Sequence, residues 1–148
     1  MSDMTPDPTL AAVLIGRNEG ARLIRCLASV TPWAGRVVYV DSGSTDGSVA
    51  AARAAGAMVV ELDRSQPFTA ARARNAGLEA LRSAGPLPDW VQFVDGDCEV
   101  QPAWIDTARQ FLQTHPKAAV ACGRRRERFP QASVYNRLCD AEWNTPVG

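Results

Sequence analysis

The chain has 148 residues, 46% hydrophobic and 22% charged, which fits one soluble domain with a real core. Its 16 Lys and Arg residues balance 16 Asp and Glu, so no net field favours nucleic acid or an anionic membrane. The longest apolar runs are too short to cross a bilayer, and Met1–Pro6 lack the basic-then-apolar order of a signal peptide.

The predicted elements alternate strand and helix. Residues 1–9 read as a disordered or extended tail. Ala11 to Ile15 is a buried strand, and Ala21 to Val30 carries Leu23, Leu27 and Val30 at helical spacing with Ile24 beside them. Val37 to Val40 is a second strand. Ser44, Thr45 and Asp46 offer N-caps for an Ala-rich helix ending near Gly56. Met58 to Glu61 is a third strand, and a longer helix covers about residues 69 to 83, ended by Gly85-Pro86-Leu87-Pro88.

Val91 to Val94 is a fourth strand. Pro102 opens the next helix, whose inner stripe is Trp104, Ile105, Ala108, Phe111 and Leu112, closed by His115-Pro116. Ala118 to Cys122 is predicted as a fifth strand, followed by the charged run Arg124 to Arg128, read as a solvated strand exit, and a helix within Ala132 to Trp143. The alternation with uninterrupted apolar strands predicts an α/β fold: a Rossmann-like three-layer α/β/α arrangement around a mostly parallel central sheet.

Cys26, Cys98, Cys122 and Cys139 include no CxxC pair, and His115 is the single histidine. Reduced thiols are therefore expected in place of a zinc site.

In open α/β sheets, ligands bind beyond the carboxyl ends of the strands. Three polar clusters fall there: Gly16-Arg17-Asn18-Glu19, Asp41 to Asp46, and Asp95-Gly96-Asp97. The last is the most informative. Adjacent carboxylates repel unless a cation lies near them, and magnesium or manganese is commonly held by one or two carboxylates plus substrate phosphates. Alone, such a triplet is also a common surface turn; its place after a buried strand, beside two other clusters, favours a site. The Asp41 carboxylate could accept hydrogen bonds from a base or a ribose, or serve the turn. Because Ser44, Thr45 and Asp46 already offer caps, the ligand role is preferred, and Asp46 is assigned to capping. Arg72 and Arg74, two apart on a helix, point to different faces, so one of them can face the site.

Taken together, Val13 to Glu19, Val40 to Ser48, Ala73-Arg74-Asn75-Ala76-Gly77 and Phe93 to Asp97 resemble, in order and spacing, the signature segments of family 2 glycosyltransferases. The resemblance implies the GT-A fold over residues 10–123, with 124–148 as the truncated start of an acceptor-binding half. It implies a nucleotide-diphosphate sugar donor, a divalent cation (Mn or Mg) and inverting transfer to a hydroxyl on a glycan, lipid or small molecule. It further implies that Asp41 contacts the base, that Arg74 lies near the base or diphosphate, that Asp95 contacts ribose or diphosphate and joins Asp97 at the metal, and that Gly16, Arg17, Asn18, Glu19 and Gly96 line the donor site.

Family members often carry Pro and Tyr where Gly16 and Arg17 stand, and the family's catalytic base normally follows the region covered here. Asp140 and Glu142 are candidates for it only by elimination, so the catalytic residue is left unassigned. A cytoplasmic location is expected, with the inner face of a membrane open to a longer protein. The rival readings are a dinucleotide-dependent oxidoreductase domain, whose glycine-rich first turn is missing here, and a non-catalytic nucleotide-binding module.

Overall fold

A computed structural model describes residues 5–144. The backbone forms two compact units, Met1–Gln101 and Pro102–Gly148. In the first, β1 (Asp7–Gly16), β2 (Ala34–Asp41), β3 (Met58–Glu61) and β4 (Trp90–Asp95) form an all-parallel sheet in the order β3-β2-β1-β4. The helices between them are α1 (Ala21–Val30), α2 (Ser48–Ala54) and α3 (Ala70–Ser83). The predicted α/β architecture is present. β1 begins earlier than expected, so residues 7–9 belong to a strand; the first four residues of the expected tail lie outside the described residues.

Strand parity divides the core. Val13, Ile15, Val38 and Val40 point to one face, where they meet Ala73 and Leu81 of α3. Gly77 is what permits this approach: a Cβ there would stand 2.3 Å from a Val13 methyl. Ala12, Leu14 and Tyr39 alternate to the other side and are fully buried. On that side α1 buries Leu23, Cys26, Leu27 and Val30. α1 is tied to the end of β4, since the Cys26 thiol donates to the Asp95 carbonyl at 3.7 Å and Ser29 Oγ accepts the Val100 N–H at 3.0 Å.

Register places the chemistry. Gly16 lies opposite Asp41, and Ile15 opposite Asp95. The carboxyl ends of β1, β2 and β4 therefore stop at one level, and all three polar clusters emerge on one rim.

The second unit holds α4 (Trp104–Thr114) and α5 (Val134–Trp143). The expected strand at Ala118 to Cys122 is not formed: the segment pairs with no other strand, and Val120 is 70% exposed. An apolar run without a neighbouring ladder has no partner for its backbone groups and does not become a strand. Phe111 leaves the predicted inner stripe of α4; it is exposed and stacks on His115, with ring centroids 4.3 Å apart. α5 starts at its Ser133 cap, whose hydroxyl accepts the Asn136 N–H at 3.1 Å. The arginine run is no strand exit either: it is exposed, with Arg126 on Asp140 and Arg125 over the Trp143 ring. No described helix is long and apolar enough to cross a membrane.

Candidate functional site

At the end of β4, Asp95-Gly96-Asp97 forms a tight turn. The Cys98 N–H donates to the Asp95 carbonyl at 2.9 Å, and the Gly96 N–H to the Ile15 carbonyl at 2.7 Å. Gly96 allows a close approach: a Cβ would sit 3.1 Å from the Ile15 carbonyl oxygen and 3.3 Å from the Glu19 side chain, tighter than ordinary packing. The turn thus lies flat against the end of β1, with Asp97 exposed and Asp95 half-buried.

Beside it, Arg74 Nη2 donates to Asp95 Oδ1 at 2.7 Å. The two arginines of α3 divide as their spacing requires. Arg72 donates to the carbonyls of Asp63, Gln66 and Pro67 at 3.0 to 3.3 Å, holding the loop before α3 in place. Arg74 faces the rim.

The β1–α1 turn is locked to the β2–α2 turn by Asn18. Its φ of 55° is left-handed, a region Asn tolerates better than most residues. Its N–H donates to Ser44 Oγ at 2.9 Å, and its side-chain oxygen accepts the Thr45 N–H at 2.7 Å. Asn18, expected to line the donor site, thus ties two loops together and is not among the residues that line the cleft.

Asp41 differs most from expectation. It is 2% exposed. One carboxylate oxygen accepts the Tyr39 hydroxyl at 3.1 Å and the Ser44 hydroxyl; the other accepts the Gly43 and Ser44 N–H groups at 2.9 and 2.7 Å. A carboxylate offers about four lone-pair sites, and all are used. In this structure Asp41 organises its turn and does not line the cleft. None of the expected caps is formed: the N-cap of α2 is Gly47, without a side-chain cap bond, Ser44 serves Asp41, and Asp46, one residue before the cap, accepts the Ser48 N–H at 2.9 Å within the turn that leads into the helix.

The rim encloses a cleft of about 320 Å³, lined by Gly16, Arg17, Glu19, Asp95, Gly96 and Asp97 from the predicted clusters. Ser42, from the second predicted cluster, and Ile15 also line it; Phe68, Thr69, Ala70 and Ala73 complete it and were not anticipated as site residues. Phe68 directly precedes the Thr69 N-cap of α3, the position of an ordinary hydrophobic staple, so its sequence carries a structural signal and no functional one. Arg17 lies over the Phe68 ring at 5.7 Å. Arg22 Nη2 comes within 2.8 Å of Glu19 Oε2, but without hydrogen-bond geometry.

Among the described residues, no group of three or more His, Cys, Asp or Glu side chains is arranged to hold a metal by itself. Asp95 and Asp97 offer two hard oxygen donors on one turn. That set suits magnesium or manganese completed by phosphate oxygens and does not suit a closed zinc site.

A parallel α/β sheet with its polar loops gathered at the carboxyl rim defines a ligand-binding domain of the open-sheet class. Residues 12–143 match the model of Glycosyl transferase family 2, and the chain belongs to that family. It is 33% identical over 134 residues to a TPR repeat-containing protein of Synechococcus elongatus, covering 90% of this chain and 31% of that protein. It is 30% identical over 106 residues to an uncharacterized glycosyltransferase of Rickettsia felis, covering 72% and 35%. Among solved structures it resembles glucosyl-3-phosphoglycerate synthase of Mycobacterium tuberculosis, crystallised with Mn2+, uridine diphosphate and glucosyl-3-phosphoglycerate. That match has a TM-score of 0.58 and 28% identity, over 72% of this chain and 40% of that one. Mannosyl-3-phosphoglycerate synthase of Rubrobacter xylanophilus shares the fold, with a TM-score of 0.59 at 20% identity, covering 88% and 44%. The chain spans about a third of the length of the curated relatives it matches. Family membership sets aside the oxidoreductase reading.

Proposed function

We propose that this chain is the donor-binding part of a metal-dependent, inverting glycosyltransferase, which moves a sugar from a nucleotide-diphosphate sugar to an acceptor hydroxyl. The observation that carries this reading is the placement of Asp95-Gly96-Asp97 on the same cleft as Gly16, Arg17 and Glu19, with Arg74 at 2.7 Å from Asp95. Family membership and the Mn2+ and uridine diphosphate bound to the mycobacterial relative support it.

Asp97 and Asp95 would hold a divalent cation, which when bound supplies positive charge against the departing diphosphate. Arg74 adds a guanidinium suited to phosphate oxygens. Glu19 and Gly96 line the cleft beside this turn, whose Gly96 N–H is held by the Ile15 carbonyl. In an inverting transfer the acceptor hydroxyl attacks the anomeric carbon from the face opposite the diphosphate and must lose its proton to a base. Asp140 is a poor one: hydrogen bonds from the Arg126 guanidinium and from the Glu127 N–H hold its carboxyl down to about 2. The 148-residue chain is therefore expected to bind the donor diphosphate and to transfer sugar poorly.

A calorimetric panel of nucleoside diphosphates, with and without manganese, tests the reading. Manganese-dependent binding of at least one is expected; no binding by any contradicts it. Robust turnover by this chain alone would contradict the account of the base. Binding without transfer, after the remainder of a full-length relative is attached, would favour a non-catalytic module.

A further inference from the structure

The Arg17–Phe68 pair has no part in the metal and diphosphate clamp. Both residues line the cleft, and Phe68 is 37% exposed. The cause is local. The residue that would cover it from the first turns of α3 is Ala73, a single methyl group. The ring tip is held instead beside Gly43, where an added Cβ would lie 3.5 Å from it. Gly43 has φ 93°, which keeps a side chain from that position. The segment that leads into Phe68 is held by Arg72, which donates to the carbonyls of Asp63, Gln66 and Pro67. Phe68 is therefore a part-exposed aromatic ring on the cleft wall, with the Arg17 guanidinium over its face and the Arg64 side chain beside the same Gly43 position as its tip.

We propose that Phe68 is the stacking wall for the nucleobase of the donor, and that Arg17 is a placeholder that occupies this wall until the base displaces it. This rests on the donor-binding reading above. The guanidinium stands 5.7 Å from the ring centroid, whereas a base interleaved between the two needs roughly 7 Å, two van der Waals spacings. Base and guanidinium thus compete for one face. The ligand class is a planar aromatic ring on a diphosphate. Stacking on a fixed ring selects for the presence of a base more than for its identity.

The test compares two probes with manganese present, uridine diphosphate and inorganic pyrophosphate, by calorimetry. The readout is the ratio of their affinities, which cancels effects on the metal clamp. Wild type is expected to prefer uridine diphosphate. Phe68→Leu, checked for an unchanged thermal unfolding, is expected to lower the ratio about tenfold, while Phe68→Trp retains it and shows indole quenching on binding. Arg17→Ala removes the competitor and raises the ratio about two- to fivefold, the worth of an exposed cation–π contact. An unchanged ratio in Phe68→Leu overturns the stacking wall. A lowered ratio in Arg17→Ala overturns the placeholder, making Arg17 the stacking partner itself. Equal wild-type affinities for the two probes overturn this inference and leave the donor clamp standing. If neither probe binds, the donor-binding reading itself falls.

Discussion

Arg74 on α3 and Asp95 at the end of β4 are joined by one hydrogen bond of 2.7 Å, across 21 residues of sequence. The side chains are 39% and 45% exposed, so the pair adds little to stability, about 1 kcal/mol at most. Its worth lies in holding a guanidinium beside the proposed metal turn. Arg74→Ala is expected to weaken manganese-dependent binding of uridine diphosphate about tenfold, with the urea midpoint nearly unchanged. Calorimetry and urea unfolding on the same sample check both halves; a large stability loss with intact binding would reverse the assignment.

Asp41 predicts the opposite balance. Its oxygens serve four donors inside the fold. Asn offers one acceptor oxygen and brings an NH2 against N–H groups that need an acceptor. Asp41→Asn should cost about 2–3 kcal/mol, read as a drop in urea stability. A fully stable variant that has lost nucleotide binding would show that the carboxylate works on the ligand.

Gly77→Ala tests the packing of α3 on the sheet. Alanine is the better helix former, yet its methyl would meet Val13 at 2.3 Å. Overpacking should win, with a net loss of about 1–3 kcal/mol in thermal or urea unfolding. A gain would mean that the helix can lift away without cost.

The pH profile follows from two buried protonated groups. Burial pushes the Cys26 thiol from 9.0 up to about 12, and burial likewise raises the Tyr39 phenol above its usual range. Both folded-state values exceed the unfolded ones. Their stabilisation is complete below about pH 9 and falls as pH rises, because the unfolded chain releases these protons first. At pH 10.5 the thiol alone should lower stability by about 2 kcal/mol relative to pH 8. Urea unfolding at both values checks this, and Cys26→Ala should flatten that share of the slope. Below pH 9, thiol reagents should modify exposed Cys122 rapidly and Cys26 only as the protein unfolds.

The sheet was legible in the sequence because β1 and β2 are continuous apolar runs whose burial on both faces leaves no other reading. The strand ends were legible too, since Gly16, Asp41 and Asp95 stop the apolar runs of β1, β2 and β4. The strand expected at Ala118 to Cys122 shows the limit: an apolar run states a preference, and pairing depends on a neighbour that composition does not reveal. Arg72 and Arg74 could be separated in principle by helical angle, but which one met a carboxylate depended on the β4 register. Asp41 and Asn18 were recognised as special for a sound reason, their place at strand ends. Their partners, Tyr39, Ser44 and Thr45, are within the fold, and no local pattern distinguishes an acid that organises a turn from one that waits for a ligand. Phe68 was hidden because a staple position already explains an aromatic there.

The measurement that most directly tests the central claim is calorimetric titration of uridine diphosphate into wild type and Asp97→Ala, each with and without manganese. The account predicts that manganese strengthens binding to wild type, and that Asp97→Ala removes this dependence while the fold is kept, since Asp97 is exposed on its turn. Unchanged affinity and metal dependence in Asp97→Ala would contradict it.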